Sequence, residues 1–442
     1  ETMFNQKLKK MNISKKFICL VLLMVAQMIS SSVLYSQSEE MDWAYENKDV
    51  LMFGSEEVDN DTIRALFYAL RNLERNTPDQ PGIIFSSKNG KFHFGVGGYV
   101  KAVASYDFEG VVNSPDFVIS KIPTGDEVKD NQKLRMDAST SNLSFKAILD
   151  TERLGVVEGY FSANFRGSSL TFQLQDAYVR FLGILAGYAP STMEDLESTP
   201  VTIDYQGPNA ETFTRNTQIR YTADFNEHLQ MAVALEMPHF DPSYSQTTAA
   251  CNQRVPDVPL YFQYSWKSGS HIRLTGLFRD LRYLDVTKNE YKDKLGWGIQ
   301  LSGSSHFFSN KLTLYYQTVL GQGISEYIQD LSGLSIDMIP SKEVQNNLKL
   351  VPCYGWYFGV QYNFLPNLFS SVLYSQVEVD PSNNEIVYDQ MYKRGQYLVA
   401  NLFWDIIPTV RVGVEYLHGR LTHQSGADGN ANRIQAQVQY NF

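Results

Sequence analysis

Lys101, Arg166, Arg180, Arg220, Arg273 and Arg279 all take the polar parity of segments in which apolar and polar residues alternate. Glu194, Asp195, Glu197 and Asp204 crowd into the single stretch STMEDLESTPVTIDYQGPN, Ser191 to Asn209. Cations and carboxylates fixed around a narrow passage set ion selectivity, and cationic rings favour anions. If Ser191–Asn209 folds into an enclosed space, its carboxylates would face Arg220, Arg273 and Arg279. For any one Arg, a salt bridge to a neighbouring strand explains the residue equally well; the set is what points to a passage. No other chemistry is spelled out. HExxH, GxSxG, a P-loop and CxxC are all absent, and the seven His lack ligand spacing. The acidic cluster lacks the alternating oxygens of a calcium loop. No catalytic residue, no metal and no cofactor is expected.

Those side chains need strands to hold them. From Lys91 onward the hydrophobic period is two. Phe92, Phe94, Val96, Val100, Ala102, Ala104, Tyr106 and Phe108 share one parity; His93, Tyr99, Lys101, Ser105 and Asp107 share the other. VEGYFSANFRG (157–167) and LGWGIQLSG (295–303) repeat the pattern, and roughly sixteen such segments follow one another, an even number as bacterial barrels have. Short turns (DTERLG, FLG, DFNEH, WKSGSH, FFSN, FLPN, DIIPT) close alternate pairs, while 109–132, 191–209, 238–256, 285–292, 322–349 and 380–393 read as long polar loops. Short turns at one rim and long loops at the other mark outer-membrane barrels. A lumen this wide cannot be filled by wall side chains, so the polar parity should face water and the apolar parity lipid. The expected fold class is all-β: a sixteen-stranded antiparallel transmembrane β-barrel with a short N-terminal periplasmic helical segment.

Composition agrees with that architecture. Tyr and Phe number 27 and 26 among 442 residues, a mix that suits pleated surfaces. Residues 1–36 read as a signal peptide, with residues 1–10 an upstream extension: Lys15 and Lys16 precede the apolar FICLVLLMVAQMI and the small-residue SSSVLYSQ. Removing 1–36 takes away five Lys and one Glu and moves the formal charge from −10 to −14. Nothing basic enough for nucleic acid remains. Cys251 and Cys353 also remain; they could pair, but are too few to build a fold on disulfides. Residues 37–82 read as a periplasmic segment with one helix, because Ile63, Leu66, Phe67, Leu70 and Leu73 keep helical spacing within 59–76. Oligomer or plug contacts, or packing on its own domain, would each suit that helix. Residues 83–442 form the barrel.

Several blocks resemble the DcaP-like trimeric porins of Gram-negative outer membranes: GGYVKAVASYDFEG with SPDFVISKIPTGDE, LAGYAPSTMEDLESTPVTIDYQGPNAETFTRNTQIRYT, HIRLTGLFRDLRY, GWGIQLSG, LGQGISEYIQDL and VRVGVEYLHG. The resemblance spans about residues 90–442. It implies a homotrimer in outer-membrane lipid, passing small anionic solutes (dicarboxylates in characterised relatives) by passive diffusion. It also implies an inward-folded third loop, which falls on Ser191–Asn209. The chain departs from relatives in having one short helix in place of a long coiled coil, and in the acidity of STMEDLES. In RIQAQVQYNF (433–442), Ile434, Ala436, Val438, Tyr440 and Phe442 should face the bilayer, with Arg433 and three Gln inward. Tyr440 and Phe442 resemble the signal read by barrel-assembly machinery. Two other functions compete: a structural or adhesive barrel with ligand-binding loops, and a rim enzyme, for which only His239, His418 and His423 are placed.

Overall fold

The computed structural model describes residues 51–53, 60–70, 81–125, 132–344, 346–381 and 387–442. The signal-peptide reading of 1–36, and Leu73 of the expected helix, lie outside those residues. The alternating segments become strands because each has one face for lipid and one for the interior. The first are β1 (Phe92–Glu109), β2 (Asn142–Thr151), β3 (Gly155–Asn164) and β4 (Gln173–Phe181). Next come β5 (Ile184–Pro190), β6 (Arg215–Asp224), β7 (Leu229–Glu236) and β8 (Val258–Ser265). The longest hairpin follows, β9 (His271–Asp285) and β10 (Glu290–Phe307), then β11 (Leu312–Gln322) and β12 (Pro352–Leu365). The wall ends with β13 (Leu368–Val379), β14 (Tyr392–Ile407), β15 (Val410–His423) and β16 (Asp428–Asn441).

Each strand pairs antiparallel with the next, and β16 pairs back onto β1, Asn441 opposite Tyr99 and Ile434 opposite Tyr106. Sixteen strands therefore close on themselves, which satisfies the wall's backbone within the hydrocarbon layer. Leu274, Phe278, Leu295, Ile299, Val438 and Tyr440 are exposed on the outside, whereas Arg433, Gln435, Gln437 and Gln439 are buried within. The parity read from RIQAQVQYNF holds. One expected long loop does not exist: β9 and β10 run on to Asp285 and Glu290, so only 286–289 turn between them. Polar residues there continue the hairpin beyond the apolar belt.

Described residues ahead of β1 join the wall. Ile83–Ser86 pairs antiparallel with β1, from Ile83 opposite Val96 to Ser86 opposite His93, and Leu51–Phe53 adds in parallel. Just above, Phe442 and Gly98 exchange backbone hydrogen bonds of 3.0 and 3.1 Å. Ile83–Ser86 thus takes over the edge of β1 where β16 leaves it, covering donors and acceptors that would otherwise be open. Helix α1 (Asn60–Ala69) packs Ile63 and Phe67 against Ile84 and Ile148. Of the expected 59–76, residues 60–69 are helical, while 59 and 71–76 lie outside the described residues; the helix lies against the barrel's own wall.

The interior departs most from expectation. Residues 110–125, 191–214 and 323–351 turn back inside, and their Phe117, Ile119, Met193, Ile324, Tyr327, Ile328 and Leu331 form one buried cluster with wall residues. The wall contributes Leu277, Val319, Leu373, Val377, Val399, Leu417 and Leu421. These are apolar residues on the inward parity, spread from the middle of their strands towards the long loops. Side chains alone cannot fill a sixteen-stranded lumen; loops that bring their own apolar residues fill one side of it. Leu277 and Leu274 on the same strand give a contrast to measure. In urea unfolding from vesicles, Leu277→Ala should lose about 2–5 kcal/mol, as core truncations do. Leu274→Arg, on the lipid face, should lose about 2–4 kcal/mol if it lies near the bilayer midplane, and only Leu277→Ala should loosen the long loops to protease.

Candidate solute passage

The loop between β5 and β6 is held to the wall at almost every step. Glu236 starts it, accepting from Ser191 Oγ at 2.8 Å and from the Thr192 amide at 2.7 Å. Asp195 then accepts from Ser302 Oγ (2.6 Å), bonds His271 Nε2 (2.9 Å) and lies 3.7 Å from Arg273 Nη2. Ser198 Oγ meets the Tyr357 hydroxyl at 2.6 Å. On the far side Glu415 accepts from the amides of Ile203 and Asp204, at 2.9 and 2.8 Å. Lys101 Nζ donates to the Ile203 carbonyl at 3.0 Å. Tyr205 reaches β4, donating to Gln175 at 3.0 Å. The loop crosses the lumen with its backbone satisfied by inward-facing side chains, as low-dielectric surroundings demand.

Electrostatics follow from those contacts. Burial works against the Asp195 carboxylate, but Arg273, His271 and Ser302 outweigh it and hold the group well below the ordinary carboxylate range. Asp204 is pushed up to about 7 by burial and by the neighbouring Asp116 and Glu415. Asp330, in the loop before β12, is pushed up to about 6 by burial. These two aspartates share a geometry. Asp204 accepts from the Phe117 amide and the Tyr397 hydroxyl; Asp330 accepts from the Ser120 amide and the Tyr392 hydroxyl. Each clamps the 110–125 segment to β14.

The residues singled out from the sequence therefore divide. Lys101, Arg279 and Asp204 are buried struts: Arg279 is fully enclosed between Asp257 (3.0 Å) and Asp337 (3.2 Å), away from the loop carboxylates it was expected to face. The main chain explains why, since Arg279 sits near the long-loop end of β9, under residues 323–351. Arg166 is paired with Asp116 and lies over the Tyr205 ring at 4.8 Å. Arg180 bonds Glu158 at 2.7 Å. Arg273 stacks on Tyr261 at 4.2 Å and donates to the Glu194 carbonyl at 2.8 Å. Glu194 is buried, while the Glu197 side chain is 52% exposed.

Register brings the rest together. Ile148, Glu158, Arg180, Leu185, Arg220 and Ala234 stand opposite one another on successive strands from β2 to β7. One ladder rung thus carries Arg180 and Arg220 side by side across β5. Tyr178, one inward position along from Arg180, and Tyr261 flank Arg220, and Arg273 lies within electrostatic reach. Arg220 Nη2 and the Tyr178 hydroxyl are buried without a hydrogen-bond partner in the described protein. Both are donors. Tyr178, Tyr261 and His271 were not singled out from the sequence; their inward parity was the available signal. Among the described residues, no group of three or more His, Cys, Asp or Glu is arranged to hold a metal, and Cys251 and Cys353 are both free.

A closed sixteen-stranded wall, short turns at one rim and an inward-pinned loop after β5 agree with the sequence model of the DcaP outer membrane protein family, which matches residues 57–442. The chain belongs to this family. Its place is accordingly the Gram-negative outer membrane. The fold is similar to that of the outer membrane channel DcaP of Acinetobacter baumannii, at a TM-score of 0.71 and 20% identity over 81% of this chain and 99% of that one. It is also similar to an anion-selective porin from Comamonas acidovorans, at a TM-score of 0.51 and 10% identity over 80% of this chain and 100% of that one. At these identities the likeness is one of fold. No curated protein matches by sequence.

The two clamping aspartates give a pH dependence with a definite sign. Their folded-state pKa values lie above the ordinary carboxylate range, so their contribution to stability is fully present below that range and lost as pH rises through about 6 to 7. Scanning calorimetry should find a higher melting temperature at about pH 5 than at about pH 8. Asp204→Asn, whose oxygen can still accept from the Phe117 amide and whose amide can donate to the Tyr397 oxygen, should flatten that difference; an unchanged pH profile would count against the clamp.

Proposed function

We propose that this outer-membrane barrel is a passive porin whose passage favours small anionic solutes, of the dicarboxylate class that the family resemblance implies. The passage runs between the 191–214 loop and the inner face of β3 to β9. One observation carries the preference. Most wall cations are spent on fixed carboxylates, but no hydrogen bond or salt bridge among the described residues engages the Arg220 guanidinium, and the Tyr178 hydroxyl beside it is also unspent. A carboxylate passing there would find two donors already desolvated and aimed by the wall, so it would meet them at little reorganisation cost. Arg180 and Arg273, held by Glu158 and Asp195, fix the wall on either side without being free to rearrange. The working form is taken as a homotrimer, as the resemblance also implies.

Planar-bilayer recordings test this. The protein should give stepwise conductances, with a reversal potential in a salt gradient that reports anion preference and with succinate permeant relative to chloride. Arg220→Gln, which breaks no salt bridge, should shift that reversal potential toward cation preference while leaving the barrel folded. Correctly folded protein that never conducts, or that leaves small organic acids outside in liposome swelling, would favour the structural or adhesive reading instead.

A further inference from the structure

We infer that helix α1 is a plug docked inside the short-turn mouth of the barrel, and that it narrows the passage from that side. Its docking surface is the inward face of the wall. Ile148 stands on the parity of Glu158 and Lys146, opposite to the outward Phe145 and Phe161, and it is wholly buried under Ile63 and Phe67. Lys146 Nζ, also inward, donates to the Leu70 carbonyl at 2.5 Å, closing the helix C-terminus onto β2. The wall is shaped to receive the helix. Gly95 points inward on β1, and a Cβ there would lie 2.8 Å from the Phe67 ring and 2.5 Å from Pro81. Only a residue without a side chain leaves Phe67 that space. Pro81, which also lines this seat, and Gly82 lead directly into the strand Ile83–Ser86 that is part of the wall.

Position gives the plug its consequence. Ile148 shares the ladder rung that carries Glu158, Arg180 and Arg220, so the helix occupies the lumen beside the cationic row at the level of the short turns. An α-helix with its side chains is about 10–12 Å across, a large share of any aperture that the inward loop leaves. The dock is also weakly held. Four wholly buried residues form its core, a ten-residue helix has little stability of its own, and Arg64 Nε is buried without a hydrogen-bond partner. An element bound by so small a patch can undock without disturbing the barrel.

The inference rests on the porin reading, and the experiment separates the two. Phe67→Asp removes the anchor from the helix side; Gly95→Val fills its seat from the wall side. Each full-length variant should raise single-channel conductance by about twofold, the aperture gaining a helix's width, and the double variant should add little more. In a Cys251→Ser background, Ile148→Cys should react slowly with a water-soluble thiol reagent, and quickly once Phe67→Asp is added. Rapid labelling without Phe67→Asp overturns the docking. Faster labelling with an unchanged conductance overturns the plug and leaves the porin standing. No conductance from the parent or either variant overturns both.

Discussion

A sixteen-stranded wall encloses more space than its inward side chains can occupy, and any backbone that crosses this space must have its amides and carbonyls satisfied. Most of the interior follows from that constraint. The 191–214 loop can enter only where the wall offers acceptors and donors at the right height. Glu236 receives it at its start and Glu415 at its middle, with Asp195 supplied by the loop itself against His271 and Ser302. Where polar anchors give out, apolar residues of three loops close over Leu277, Val319, Leu373 and Leu417. The lumen is thereby split into a packed side and a polar side.

This division decides what charges do. A buried cation with a partner is a fixed strut whose charge is largely cancelled, and removing one member leaves the other stranded. Arg279 between Asp257 and Asp337, Arg433 against Asp107 and Arg166 against Asp116 are of this kind. Counting Arg on the inward parity therefore overstates the charge a solute meets. Arg220 differs because its ladder neighbours are Leu185 and Ala234, which offer no carboxylate. Whether an inward Arg is spent depends on what surrounds it as much as on its own charge.

The wall was legible in the sequence because its signal is local. A period of two, a polar and an apolar parity, and turns recurring at fixed places are properties of neighbouring residues, and strand count, closure and the outward face of β16 follow from them. The inward course of Ser191–Asn209 was also expected, although from resemblance. The packed side of the lumen was hidden: Leu277, Val399 and Leu421 break the polar parity, but what covers them comes from more than forty residues away, in segments with no period of their own. For the same reason 285–292 read as a loop. Polar composition and a hairpin beyond the membrane look alike when burial is unknown. Which Arg would be spent and which free depends on partners such as Asp337 that only folding brings near.

Register is the last link between these parts. Successive residues of a strand point to opposite faces, so a slip of one residue exchanges the two sets entirely. In β4 such a slip would send Arg180 and Tyr178 into lipid and bring Val179 inward, and through the shared rung it would part Arg180 from Glu158. The same rung carries Ile148, so the seat of α1 and the cationic row are fixed relative to each other by backbone hydrogen bonds alone. Neither can be moved along the wall independently. A passage whose narrowing element and whose charges sit on one rung keeps its geometry through side-chain motion, because the spacing belongs to the sheet and not to any loop.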